Sequence, residues 1–331
     1  MKYTIIVVNY NKEKYLDRCL QSIINQTYTN YRLMIVDDGS TDNSMTIIEK
    51  YRKYDNVDIY YKKNGGVSDA RNFAIERVKT TYFTFVDSDD YIEPSLLEVC
   101  SKYKSYDILG FNSFLVYPDR IIKDYEKGNF VCKNGEEVLY RLIKNKTLFL
   151  VPWGYIYNIK LFKNNNLKYP KGLVHEDTIL STICVLKSKK TICIDYYGYN
   201  YVQTDNSITR NKNPEMMNLR INSMIYVFEN LRDYFYENVK NKEYLEFFLN
   251  FYANITLNLG EQLSFKYQLV YDKELRKLKV VSYLKNSSFV SRVKKILGYI
   301  SPMLYFRVYL YLKRIYNKIR IRKGEIQSEN K

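Results

Sequence analysis

The sequence predicts an α/β fold: a doubly wound, mostly parallel sheet, extended in its second half and followed by a helical, basic C-terminal region. Three observations predict it. Short β-branched apolar runs alternate with helix-period runs through the first hundred residues, the pattern of strand–helix–strand crossovers. Four of those apolar runs are followed by polar clusters: Asn9, Asp37-Asp38, Asn64-Gly65-Gly66 and Asp87-Ser88-Asp89-Asp90. Charge is segregated along the chain. From Phe265 to Lys331 there are 17 Lys or Arg against 4 Asp or Glu, a net of +13 out of +16 for all 331 residues.

Each element has its own signal. Thr4 to Val8 (TIIVV) is a continuous apolar run, as a strand buried on both faces would be. Leu16, Cys19, Leu20, Ile23 and Ile24 fall at steps of three and four, one face of a helix. Leu33 to Val36 is a second strand. Ser40, Thr41 and Asp42 offer N-caps for a helix running to about Tyr54. Val57 to Tyr61 is a third strand, Ser68 to Val78 a helix, and Tyr82 to Val86 a fourth strand. Residues 111–212 are mixed and aromatic and extend the sheet; 213–331 read as helical, amphipathic and basic. A length of 331 residues allows one large domain or two modest ones with a substantial core.

Several classes are excluded early. At 46% hydrophobic and 27% charged the chain is globular, not disordered. Five Cys without a CxxC pair argue against a zinc knuckle or disulfide scaffold and for buried thiols in a reducing compartment. His175 is the only His, so a multi-His metal site is excluded, and no GxSxG turn accompanies it. A dinucleotide enzyme would place GxGxxG after the first strand, where VVNYNKEKY stands, and a nucleotidyltransferase would place a basic Gly-rich loop there. The N-terminal apolar run is too short for a signal peptide, and no run reaches the length of a membrane-spanning helix. The expected location is cytoplasmic, peripheral on the inner face of the cell membrane.

The polar clusters carry the chemistry. In VDDGSTDNS one of two adjacent carboxylates can face a ligand and accept hydrogen bonds from a ribose hydroxyl or a base N–H; the plainer reading is a capped turn. In VDSDD three Asp within four residues make a negative site that a hard cation would neutralise; Mg²⁺ or Mn²⁺ bound by one or two carboxylates and by phosphate oxygens suits it. In NGGVSDARN the glycines permit close backbone approach and Arg71 is a natural diphosphate partner, although a glycine turn with a surface Arg would look the same. In VHEDTILS, Glu176 and Asp177 could supply a general base, or be acid at a helix N-terminus favoured by the macrodipole.

The order IIVVNYNKEKYLDRCLQSIINQTYTNYRLMIVDDGSTDNS, then NGGVSDARN, then FTFVDSDDYIEP, closely resembles the family 2 glycosyltransferases. The resemblance is specific over roughly residues 3 to 100. It continues more loosely through VPWGYIYNIKLF and VHEDTILS to about 210. It implies the A-type fold, with a nucleotide-sugar half (about 1–110), an acceptor half (about 111–212) and an inverting, metal-dependent transfer from a nucleotide diphosphate sugar to an acceptor hydroxyl. By the same resemblance Val8, Asn9 and Tyr10 line the nucleoside pocket, with Asp38 on the base or ribose and Gly66 and Arg71 near the nucleotide. Asp89 is the metal ligand, with Asp87 and Asp90 beside it, and Asp87 is a second candidate ligand for Mn²⁺ or Mg²⁺. Asp177 is the general base, assisted by Glu176. Trp153, the single Trp, either lies under the acceptor site or packs in the core.

The basic region implies an anionic partner. Between Val293 and Lys323 apolar residues recur at three- and four-residue steps, flanked by Lys and Arg and interspersed with Tyr, as in a helix lying in a membrane interface. Pro302 splits the segment into two helices. The same stripe could pack on the catalytic body or in a homodimer. No nucleic-acid reading module accompanies the charge. A non-catalytic basic scaffold would account for the tail and leave the Asp clusters unexplained.

Overall fold

The computed structural model describes residues 1–124, 126–148, 150–204, 213–260, 263, 265–284, 295, 296 and 301. The chain divides into two compact units, Met1–Asn211 and Lys212–Lys331.

The first unit opens as the sequence predicts, with β1 (Tyr3–Asn9), α1 (Glu13–Ile24), β2 (Tyr31–Asp37), α2 (Ser44–Glu49), β3 (Val57–Tyr61), α3 (Val67–Arg77) and β4 (Tyr82–Asp87). These four strands lie parallel in the order β3-β2-β1-β4. β1 sits between two neighbours and its Ile5, Ile6 and Val7 are wholly buried, which is why the run is apolar without alternation. α1 buries Leu16, Cys19, Leu20 and Ile23, the stripe read from spacing. Each such side chain contributes about 1.5–3 kcal/mol of transfer free energy.

One element differs. The helix expected from Ser40 to Tyr54 is confined to Ser44–Glu49. Ser40 is drawn into the preceding turn instead, where its N–H and hydroxyl donate to the Asp37 carboxylate at 2.8 and 2.6 Å. Asp42 joins two elements, accepting from the N–H of Ser44 and from that of Glu13 at the start of α1, both at 3.0 Å.

The unit continues with β5 (Tyr91–Ile92), α4 (Leu96–Ser101), β6 (Ile108–Val116), β7 (Ile121–Asp124), β8 (Phe130–Cys132), α5 (Gly135–Lys144), β9 (Tyr155–Asn158), α6 (Ile159–Asn165), α7 (Glu176–Lys187) and β10 (Thr191–Val202). β9 runs antiparallel between β4 and β6, β10 returns parallel to β6, and β5 closes the path antiparallel to β10. The ten-stranded sheet is therefore parallel in its first half and mixed in its second. All five Cys are buried free thiols.

The second unit contains α8 (Pro214–Asn238), α9 (Lys242–Leu259), α10 (Phe265–Lys277) and a 3-10 turn over Val280–Tyr283. Asn213 caps α8 by accepting from the Met216 N–H at 2.7 Å, with Pro214 in the first turn. Asn241 caps α9 in the same way. Phe228, Leu231, Phe235, Phe248, Ala253 and Leu257 are buried. The Tyr271 hydroxyl donates to the Thr256 carbonyl at 2.6 Å, tying α10 to α9. Among the described residues no helix is long and apolar enough to cross a membrane. Of the amphipathic segment 293–323, only Lys295, Ile296 and Ser301 are described; the rest lies outside the described residues.

Candidate active site

The parallel register sets the site. Asn9 pairs with Asp37, and Val8 with Asp87, so three strand ends bring their polar residues to one edge of the sheet. Open α/β sheets bind ligands beyond that edge.

The two adjacent carboxylates of VDDGS take different roles. Like Asp38, Asp37 is nearly fully buried. It accepts from the Asn9 side-chain amide at 2.8 Å and from Ser40, and so locks the β1 and β2 ends together. Asn9 is itself wholly buried and Val8 half-buried, whereas Tyr10 is 48% exposed. Asp38 reaches toward the NGG loop. Its carboxylate accepts from the Gly65 N–H at 3.0 Å and the Gly66 N–H at 2.8 Å, and its carbonyl accepts from the Asn64 side chain. Lys62 lies 2.5 Å from the same carboxylate and 2.7 Å from Asp69. Gly39 is required between them: it has φ +76°, and a Cβ there would meet Asn64 N at 2.9 Å. Gly66, at φ +84°, has open space where a Cβ would stand.

The VDSDD turn is equally divided. The Asp90 N–H donates to the Asp87 carbonyl at 2.9 Å, closing a tight turn. Asp90 points into the protein, 1% exposed, where its oxygens accept from the Tyr199 hydroxyl at 2.7 Å and the Val202 N–H at 2.8 Å. Burial, and then the charges of Asp87 and Asp89, hold its pKa well above the usual carboxylate range. Asp87 and Asp89 are more open. Asp89 lies 2.6 Å from the Lys12 ammonium, and its carbonyl accepts from Arg18 at 2.8 Å. Asp87, with 36% of its side chain exposed, is 3.5 Å from Arg71, and partial desolvation raises its pKa against the pull of that guanidinium.

These two carboxylates fit a hard divalent cation. They sit on one short turn; among the described residues Asp87 pairs with Arg71 at the long end of ion-pair range, 3.5 Å, and Asp89 with Lys12 at 2.6 Å, a place a cation would take over. Among the described residues no group of three or more His, Cys, Asp or Glu could hold a metal alone. Mg²⁺ or Mn²⁺ held by these two carboxylates would need substrate phosphate oxygens to complete its shell.

Glu176 and Asp177 open α7, and the fold carries them to this turn. Arg71 is the bridge: its guanidinium lies 2.6 Å from Glu176 and 3.5 Å from Asp87, over the ring of Tyr169. Arg71 is thus engaged by protein carboxylates on both sides. His175 adopts a left-handed backbone, φ 67°, directing the chain into the helix. The Asp177 carboxylate accepts a local bond, from the Thr178 N–H at 2.9 Å. Burial, and then the Glu176 charge, push its pKa up to about 8, against the pull of Arg71.

Sequence reading missed Lys12, Lys62 and Tyr199. Lys12 and Lys62 lie beside motifs that were singled out, but a Lys in a polar loop carries no signal of its partner. Tyr199 is one of 36 Tyr and lies more than a hundred residues beyond the turn it touches. Trp153 is buried and stacks on Tyr199, with ring centroids 4.3 Å apart and planes within 2°.

With this geometry in hand, likeness to known proteins is informative. Residues 4–165 match the profile of Glycosyl transferase family 2. Over 238 residues, 67% of the chain, it is 35% identical to the glycosyltransferase GlyA of Streptococcus pneumoniae; that region spans about a third (34%) of GlyA's length. Among solved structures it resembles S. aureus TarS 1–349 in complex with UDP-GlcNAc, with TM-score 0.72 and 21% identity over 94% of this chain and 92% of that one. It also resembles the mannosyltransferase PcManGT of Pyrobaculum calidifontis in complex with GDP-Man and Mn²⁺, with TM-score 0.51 and 13% identity over 94% of this chain and 88% of that one. The fold and the strand-end site are those of the glycosyltransferase class, and this chain falls within it by likeness. It belongs to glycosyltransferase family 2 and has the A-type fold of that family.

Proposed function

We propose that the chain transfers a sugar from a nucleotide diphosphate sugar, UDP-sugars favoured, to an acceptor hydroxyl with inversion at the anomeric carbon. One observation carries the reading: Arg71 ties Glu176, the neighbour of the candidate base Asp177, to Asp87 in the candidate diphosphate turn, although the two are far apart in sequence. In this reading the nucleotide-sugar half is about 1–110 and the acceptor half about 111–212.

The roles follow from the contacts. Asp38 holds the NGG loop by its backbone N–H groups and presents the rim on which a nucleoside would rest, with Val8, Asn9, Tyr10 and Gly66 around it. Asp87 and Asp89 would hold Mn²⁺ or Mg²⁺, which when bound supplies charge neutralisation for the departing diphosphate. Asp177 accepts the acceptor hydroxyl's proton as its oxygen bonds to the anomeric carbon and the sugar–diphosphate bond breaks, releasing the nucleoside diphosphate. Glu176 keeps Arg71 in place beside the base. One displacement on one face inverts the configuration. PcManGT, as its complex shows, holds GDP-Man with Mn²⁺, and TarS holds UDP-GlcNAc; both support a nucleotide-sugar donor here.

The acceptor we favour is a lipid-linked or cell-surface glycan precursor, met at the inner face of the membrane, where the net +13 of residues 265–331 would hold the protein against anionic lipid. A homodimer through the same stripe is the competing use. The decisive experiment is NMR of the product formed from a UDP-sugar with Mn²⁺: the expected anomer is opposite to the donor's, and a retained anomer would sink the mechanism.

A further inference from the structure

The geometry points to Tyr199 as a positioning residue that sets the acidic turn, coupling the acceptor-side strand β10 to the carboxylates Asp87 and Asp89. The inference rests on reading that turn as the donor's metal–diphosphate site.

A tyrosine hydroxyl has one proton to give and lone pairs to receive. Tyr199 uses both on the two ends of one turn. It accepts from the Asp87 N–H at 3.1 Å and donates to the Asp90 carboxylate at 2.7 Å. The Asp90 N–H to Asp87 carbonyl bond closes the same turn, and the Val202 N–H takes the other Asp90 oxygen. Asp90 therefore serves as a buried anchor, and the residues left for a cation, Asp87 and Asp89, stand on a turn clamped at both ends.

The clamp is built for rigidity. Tyr199 is wholly buried, and its ring lies flat against Trp153, which Tyr201 flanks at 5.1 Å. The strand is irregular at the point that matters: the β10 register against β6 shifts between Tyr197 and Tyr199, and such bulges re-aim a side chain. A Cβ at Gly198, next to it, would meet Leu96 Cδ1 at 2.4 Å, closer than a real Cβ contact. The chain is thus shaped to bring one hydroxyl onto the turn, and Trp153 serves by holding that ring.

The test is Tyr199→Phe, which keeps the ring and its stacking and removes only the hydroxyl. Titration calorimetry of Mn²⁺ with UDP on the full chain should show affinity weakened about tenfold, the worth of one buried hydrogen bond. In turnover the KM for Mn²⁺ should rise while the acceptor KM stays put, and excess Mn²⁺ should restore kcat. A purely structural role would lower the active fraction and leave every KM unmoved, which overturns the proposal. Asp90→Asn, which replaces the clamped carboxyl, should reproduce the loss, and its effect should not add to that of Tyr199→Phe. Additive effects, or Mn²⁺–UDP affinity within twofold of wild type in either variant, overturn it. If wild type itself binds UDP with no help from Mn²⁺, the site reading falls and this inference with it; intact wild-type binding with unaffected variants removes Tyr199 alone.

Discussion

Arg71 and Glu176 meet at 2.6 Å although 105 residues separate them in the chain, and both side chains are buried. The same guanidinium faces Asp87 at 3.5 Å. A cation placed between a buried carboxylate and a part-exposed one offsets repulsion that would otherwise push them apart.

That arrangement makes Arg71 costly to remove. Arg71→Ala should destabilise the first unit by about 3–5 kcal/mol, because it strands buried charge. Arg71→Lys should recover only part of this, since a single ammonium cannot span both carboxylates as a planar fork does. Denaturant titration measures both, and a Lys variant as stable as wild type would show that the fork geometry is unimportant.

Asp177→Asn should leave donor binding intact and slow transfer by about 10²- to 10⁴-fold, the usual worth of a positioned base. Single-turnover rates with a UDP-sugar, beside UDP affinity by calorimetry, separate the two effects. Loss of donor binding in step with loss of rate would remove Asp177 from the base role.

The pH profile follows from the same residue. Its carboxyl is raised to about 8 by burial first and by Glu176 second, so the base is mostly protonated at pH 6 and ionises as pH rises through 8. The rate should climb with pH over that range and then level. Stability runs the other way. A carboxyl that binds its proton more tightly when folded favours the fold at low pH and loses that contribution as pH rises from 3.8 toward 8. The melting temperature of Asp177→Asn should therefore gain on wild type between pH 5 and pH 8. A constant difference would mean Asp177 titrates normally.

Asp89→Ala should abolish the divalent-dependent part of donor binding, because the cation then loses one of its two candidate protein ligands. UDP titrated with and without Mn²⁺ gives the answer. Unchanged Mn²⁺-dependent affinity would take Asp89 out of the site and leave it as the partner of Lys12.

The basic C-terminal region has its own test. Full-length protein should sediment with phosphatidylglycerol vesicles at low salt, and a chain ending near Asn286 should not, since each Lys or Arg near an anionic leaflet contributes about 1 kcal/mol. Equal binding by both would assign the stripe to packing instead.

What the sequence determined alone was local. The apolar runs of β1, β2 and β4, the stripe of α1 and the acidic residues at the strand ends are set by period and by composition, which act within a few residues. Order along the chain then told which strand ends face the ligand, because parallel crossovers leave all their carboxyl ends on one edge. The tertiary structure decided which partners each acidic residue takes. Asp37 and Asp90 were indistinguishable by spacing from Asp38 and Asp89. They are turned into the protein by partners the sequence places elsewhere: Asn9 and Ser40 for the first, Tyr199 and Val202 for the second. It also decided that Arg71 answers to Glu176, and that Tyr199 clamps the turn. Such pairings are made by strand register and by a bulge in β10, and a residue's chemistry cannot disclose them, since burial and partner are properties of the folded chain.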